Sequence, residues 1–186
     1  LSRRQRQMCI RDSFIAVVNS ANAYLKEAWM GTNSAGFALM NTQSYNLVDV
    51  KGDEERGAAN GRVIYRALEV CATVEDFCHF LDTISKPSDI EANFGVIDAQ
   101  GGAAMFEVDY YKYVMYDANN PKDAPYGYIA RTNFSFAGKV NEGAGYVRYM
   151  EADQVLMKAS ATGSITPQFI FNDLSRSFRN LSLIHI

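Results

Sequence analysis

Between Asn93 and Ala118 the chain leaves itself room only for hairpins. Three strand-like runs, NFGVIDA, AAMFEVD and YKYVMYDA, follow one another, with Gln100-Gly101-Gly102 filling the first gap and Tyr110 alone the second. Parallel neighbours need a crossover of a dozen or more residues, so these runs must pair antiparallel, as a β-meander. An earlier stretch repeats the signal. FIAVVNS is strand-like, and AWMGTNSAGFALMNT reads as strand, turn, strand, with the turn between Gly31 and Gly36 and Asn33 as one of its turn formers.

Between these two sets of strands the period changes. After a polar connection, SYNLVDVKGDEERGAA, residues Val63, Ile64, Ala67, Leu68 and Cys71 follow the spacing of an apolar helix face. A second helix is predicted after Thr73, whose hydroxyl caps it while Asp76 completes a capping box; Val74, Phe77, Cys78 and Leu81 form its buried stripe. Beyond the meander come a Pro- and Asn-rich loop (NNPKDAPYG), a short strand YIART, a glycine-rich loop, a helix over about 147–159 and another helix start at Thr166-Pro167. Runs of strands followed by runs of helices favour α+β layering over a doubly wound sheet. No GxGxxG or GxxxxGK[ST] loop is present.

Both ends read as something other than protein design. ATG TGT ATA AGA GAC AG encodes Met8 to Asp12 and then Ser13, and its reverse complement, CTG TCT CTT ATA CAC AT, encodes Leu181 to His185 and then Ile186. One DNA element read on both strands thus accounts for the two termini, and CGT CGG CAG CGT CAG extends it over Arg3 to Gln7. This resembles the transposon-end adapter of sequencing libraries, so 1–13 and 181–186 are expected to be adapter-derived and 14–180 a gene fragment. Setting aside Arg3, Arg4, Arg6, Arg11 and Asp12 leaves 14 basic against 20 acidic side chains, a formal charge of −6. The basic N-terminal arm then vanishes, and no Lys/Arg cluster remains to bind nucleic acid. No apolar run approaches the roughly 20 residues that span a bilayer as a helix.

The catalytic inventory is short. His79 lies within a helix, His185 is adapter-coded, and GxSxG and HExxH are absent. Cys71 and Cys78 read as helix-face core residues without metal-ligand spacing, so no metal and no cofactor is expected. Asp98 and Glu107 read as hairpin residues rather than as an acid–base pair. Trp29, Tyr45, Phe134 and Tyr146 read as core packing in preference to an acyl pocket. Two amides stand out: Asn41, ending GFALMN, and Asn133, ending YIARTN. An asparagine N–H₂ can stabilise an oxyanion without changing charge, although strand ends and turns favour the residue anyway.

AWMGTNSAGFALMNTQSYNL, EANFGVIDAQGGAAMFEVD, APYGYIARTNFS and GYVRYMEAD together resemble linear-amide hydrolases of the N-terminal-nucleophile superfamily. The nearer likeness is to penicillin-acyltransferase-like and carcinine-hydrolase-like proteins, with choloylglycine hydrolases more distant. The resemblance implies an αββα sandwich of two stacked antiparallel sheets with helices outside, a small-molecule amide substrate, and a cysteine exposed as the first residue of the mature chain. It assigns Asn133 to an oxyanion or substrate-orienting amide, Asn41 to a second oxyanion donor, and Arg148 to an arginine that steadies the site. It also places the nucleophile upstream of FIAVVN, followed by an Arg and an Asp. Met8-Cys9 mimics such a start but is coded by adapter, so the nucleophile is expected to be missing and this fragment inactive. The alternative is a non-catalytic α+β binding domain on the same scaffold. Asn133-Phe134-Ser135 also fits a glycosylation sequon, which a position inside a site would exclude. Reading the source DNA upstream of Phe14 by an adapter-free method should replace the codons of RRQRQMCIRDS; their persistence in the genome would return Cys9 as a candidate.

Overall fold

The computed structural model describes residues 13–20, 26–47, 59–139, 141 and 143–177. The segments 1–12 and 178–186, with Cys9 and His185, lie outside the described residues. Six strands form one antiparallel sheet in chain order: β1 (Phe14–Val17), β2 (Met30–Asn33), β3 (Ala38–Gln43), β4 (Ala92–Ile97), β5 (Ala103–Val108) and β6 (Tyr113–Asp117). Helices α1 (Asn60–Val70) and α2 (Val74–Asp82) are inserted between β3 and β4, and α3 (Gly143–Ala161) follows the meander. The protein is therefore α+β with an antiparallel sheet, as its strand order requires. Among the described residues the strands make a single sheet.

One face of that sheet is dry. Leu39, Phe94, Val96 and Phe106 point at α1 and α2, whose Ile64, Leu68, Phe77 and Leu81 are fully buried. Phe77 is the hub, its ring 5.0 Å from Phe106, 5.8 Å from Phe94 and 6.2 Å from Phe37. Aromatic pairs at such spacings add roughly 0.5–1.5 kcal/mol each beyond their area. Part of the other face is apolar and open: Ile15 is 80%, Ile97 58% and Met40 47% exposed. This is the side on which the sandwich reading stacks a second sheet.

The β2–β3 turn explains much of the W-x-G-x-N-x-x-G pattern. Asn33 is buried, and its Oδ1 accepts from the N–H groups of Ala35 and Phe37, both at 3.1 Å. Its Nδ2 donates to the carbonyls of Leu68 (2.9 Å) and Cys71 (2.8 Å), tying the turn to the end of α1. Gly36 takes φ of 81°, and a Cβ on Gly31 would sit 2.6 Å from both the Ile15 carbonyl and the Leu68 side chain. Asn33 is thus a turn residue that also anchors a helix.

The predicted capping box is present. The Asp76 N–H donates to Thr73 Oγ1 at 3.1 Å, and Asp76 Oδ2 accepts from the Thr73 N–H at 3.2 Å. Two expectations need correction. YIART is not a strand: residues 128–133 cross the molecule without a ladder partner. The helix placed over 147–159 begins earlier, at Gly143, and the segment after Thr166 runs Pro167–Phe169 before widening into a π-helix over Ile170–Leu174.

Asp98 does more than close the β4–β5 hairpin. Its Oδ1 accepts from the N–H groups of Gln100 (2.8 Å) and Gly102 (2.9 Å), and its Oδ2 from Val74 at the start of α2 (2.9 Å). Burial alone would raise its pKa, but these three donors outweigh it and hold the carboxyl below its ordinary value of 3.8. A depressed folded-state pKa stabilises the fold above the unfolded value, and that stabilisation is lost as pH falls through the folded value. Asp98→Asn should therefore cost about 1.5–3 kcal/mol at neutral pH. The deficit should shrink on acidification below the unfolded pKa of about 3.9, as measured by urea denaturation across pH.

Candidate active site

On the open face the register lines up three rows across β3, β4 and β5. Thr42, Asn93 and Glu107 form the first; Met40, Gly95 and Met105 the second; Ala38, Ile97 and Ala103 the third. Side chains two residues apart along a strand lie about 6.7 Å apart, so the face grades from polar to apolar in two steps. The apolar part forms a concavity of about 640 Å³ whose lining carries no charge.

Over the polar row lies a strap, residues 128–139, with no regular structure of its own. Side chains of the sheet answer its backbone. Asn93 donates from Nδ2 to the carbonyls of Thr132 (2.9 Å) and Phe134 (3.0 Å), and its Oδ1 accepts from the Ser135 hydroxyl at 2.5 Å. The Thr42 hydroxyl donates to the Thr132 carbonyl at 2.6 Å. Asn46 brackets Ser135, accepting from its N–H at 2.9 Å and donating to its carbonyl at 2.8 Å. Glu107, fully buried on β5, accepts from Arg131 Nε at 2.5 Å and from the N–H groups of Phe136 (2.9 Å) and Ala137 (2.7 Å). Glu107 is therefore not a hairpin residue: its carboxylate stands on the sheet's open face and holds the strap.

Arg131 is buried as well, its side chain 3% exposed. Its guanidinium carbon lies 3.8 Å from the Phe136 ring centre and 4.5 Å from that of Tyr116. The aromatic layer continues through Phe134 to Tyr146 (5.0 Å) and through Phe136 to Tyr149 (5.1 Å), clamping α3 onto the strap. Tyr128 adds a strut at the strap's start, donating to Asp153 Oδ1 of α3 at 2.7 Å. Phe134 and Tyr146 thus pack as expected, whereas Trp29 (41%) and Tyr45 (57%) are exposed, in contrast to their reading as core.

Asn133 sits at the middle of the strap. Its Nδ2 donates to the Gln43 carbonyl at 2.8 Å and its Oδ1 accepts from Arg148 Nη2 of α3 at 2.6 Å. These partners leave no ambiguity about the amide's orientation, because a guanidinium only donates and a backbone carbonyl only accepts. The second Nδ2 proton has no partner among the described residues. Gly145 permits the close approach of α3, since a Cβ there would lie 2.5 Å from the Asn133 carbonyl. The amide a sequon would glycosylate, that of Asn133, is engaged within the fold through its oxygen and one N–H.

Asn41 does not join this group. It pairs across β3–β4 with Phe94, whose ring packs on Phe77 of α2, so its side chain lies on the helix-covered face, opposite Thr42 and the strap. Gln43 contributes its carbonyl instead. The cysteines are equally distant in role: Cys71 is fully buried in the helix-side core, and burial raises the thiol pKa of both Cys71 and Cys78. His79 is exposed on α2, 3.5 Å from Glu75. No cluster of three or more His, Cys, Asp or Glu with metal-binding geometry occurs among the described residues.

A family model, acyl-coenzyme A:6-aminopenicillanic acid acyl-transferase, matches residues 10–161. The chain belongs to this acyl-transferase family. That places it among the N-terminal-nucleophile amide hydrolases and acyltransferases. Its fold is similar to that of a variant of the conjugated bile acid hydrolase from Clostridium perfringens, with 12% identity, a TM-score of 0.51, and coverage of 87% of this chain and 62% of that one. A penicillin V acylase from Agrobacterium tumefaciens aligns at 18% identity and a TM-score of 0.41 over 86% of this chain and 53% of that one. The acyl-transferase family chain thus spans under two thirds of the length of either. No curated protein sequence matches it.

Sequence reasoning singles out Asn133 and Arg148, which lie within hydrogen-bond distance of each other, reads Glu107 as a hairpin residue, and does not single out Asn93 or Arg131, which with Glu107 hold the strap. In this acyl-transferase family member Asn93→Ala should leave the buried Phe134 carbonyl without its side-chain donor, while Thr42 still answers the Thr132 carbonyl and Ser44 the Ser135 hydroxyl, at a cost of about 1–3 kcal/mol. Limited proteolysis should then show cleavage within 131–139 well below the melting temperature.

Proposed function

We propose that the whole protein is a cysteine-nucleophile amidase or acyltransferase that cleaves a linear amide C–N bond through an acyl-enzyme, its nucleophile lying outside this chain. The observation that carries the reading is the Asn133 amide, fixed by Arg148 on its oxygen and by the Gln43 carbonyl on one N–H, with one N–H to spare among the described residues. A donor held in this way needs no reorganisation when negative charge develops, which is the requirement for stabilising an oxyanion. The thiolate attacks the amide carbonyl; the oxygen, now charged, accepts from Asn133 Nδ2; the amine leaves with a proton from the cysteine's own α-ammonium, whose ordinary pKa of about 7.7–8.0 suits the exchange. Water or an acceptor amine then resolves the thioester. Arg148 donates to the Asn133 oxygen and serves to orient the amide.

Cys71 and Cys78 sit in or against the helix-side core, across the sheet from the strap, and burial raises their thiol pKa where a reactive cysteine needs it lowered. The family's description names a small molecule, 6-aminopenicillanic acid, as the partner in acyl transfer, and a small-molecule amide here is in keeping with it. Asn41, on the helix-covered face, takes no part in this oxyanion. That separation is also the observation that favours the second reading, a non-catalytic binding domain on the same scaffold.

The two readings part in the full-length gene. If it carries a processed cysteine followed by Arg and Asp, and the product hydrolyses linear amides, Asn133→Ala should lower kcat by about 10²–10³ with KM nearly unchanged. Arg148→Met should lower kcat by about tenfold through loss of orientation. Unchanged kcat in Asn133→Ala, or a full-length chain without that cysteine, would favour the binding domain.

A further inference from the structure

The Asn133 amide is oriented by two partners, but the strap that carries it is fixed from below. The geometry points to Glu107 as the positioning residue for Asn133, acting through the strap as a buckle acts on a belt; this inference rests on the reading of Asn133 as the site's donor. One buried carboxylate binds both sides of the residue in question: Arg131 Nε two positions before it, and the Phe136 and Ala137 N–H groups three and four positions after it. Both of its oxygens are engaged by the strap, Oε1 by Arg131 and Phe136 and Oε2 by Ala137, and its side chain is wholly buried. The span 131–137 is thereby closed on a single anion.

Other anchors hold the strap's height above the sheet, not its span. Asn93 takes the carbonyls of Thr132 and Phe134, one on each side of Asn133, and Asn46 takes Ser135. These neutral contacts do not themselves link residue 131 to 136–137, which also meet where the Arg131 guanidinium stacks on the Phe136 ring. The charge-assisted bonds to Glu107 supply that link, and they are the stronger kind. Arg131 cannot swing away in compensation, since its guanidinium is held between the Phe136 and Tyr116 rings. A neutral amide in place of the carboxylate would turn one acceptor into a donor facing N–H groups. The 131–137 span would then open, and Asn133 would lose register with Gln43 and Arg148.

The test reads orientation rather than turnover, so its outcome is separate from whether Asn133 acts on substrate. In the 186-residue chain, the two Asn133 Nδ2 protons are followed by ¹⁵N–¹H NMR, assigned by their absence in Asn133→Asp. In Glu107→Gln they should exchange with solvent at least about tenfold faster and lose their shift separation. Backbone amides of β4 and the α2 cap should keep their protection, and Glu107→Asp, which restores the charge, should recover most of the separation. A merely structural role predicts the opposite pattern, a uniform loss of protection across sheet and strap with no recovery in Glu107→Asp. Unchanged Asn133 protons in Glu107→Gln would overturn the inference outright. Should Glu107→Gln not fold, Arg131→Lys removes the Nε contact and keeps the charge; Asn133 protons that match the parent's in that variant would overturn it equally.

Discussion

A segment without regular structure can lie on a sheet only if something answers its backbone N–H and C=O groups. That constraint governs the strap over 128–139. It has no ladder, so β3, β4 and β5 supply Thr42, Asn93 and Glu107 as substitutes, and the loop after β3 supplies Asn46. Each of these groups costs free energy when buried alone, by about 1–3 kcal/mol, and each is answered here by a partner on the strap. The polar row is therefore a condition of the strap's existence, and the strap in turn is what brings Asn133 and Arg148 together.

This dependence explains what the sequence disclosed and what it hid. Local chemistry was legible. The turn at Gln100-Gly101-Gly102, the Thr73–Asp76 capping box and the helix-period apolar faces are each written within a few residues and were readable as such. The strap was not. YIART has the β-branched and aromatic content of a strand, yet its Thr132 carbonyl is answered by side chains 39 and 90 positions away, a relation with no local signature. Glu107 looked like one more polar residue on a hairpin, because nothing in FEVD announces that its partner is an arginine on a distant loop. Trp29 and Tyr45 misled for a related reason: large aromatics suggest burial, but their place beside the outer edge and loops of the sheet leaves them exposed.

Asn41 and Asn133 illustrate the same limit at the site. A strand alternates its faces, so a shift of one residue decides whether a side chain meets the helices or the strap. Thr42 meets the strap and Asn41 the helix layer. From sequence both amides ended a strand-like run and looked equivalent. Parity separated them, and parity depends on register, which three-dimensional pairing alone fixes.

The tether at Asn33 carries a consequence for how such a chain can diversify. Asn33 binds the end of α1 from the β2–β3 turn, while the start of α1 is fixed by Asn60, which exchanges hydrogen bonds with Glu91 at 3.0 and 3.1 Å. Both ends of the helix are thus held by asparagines outside the stretch 48–58 that leads into it from β3. A longer closed loop costs only about 0.6 kcal/mol more for each doubling of its length. An insertion between Leu47 and Ala59 would therefore leave the Asn33 and Asn60 anchors of the helix in place, since neither lies within that stretch.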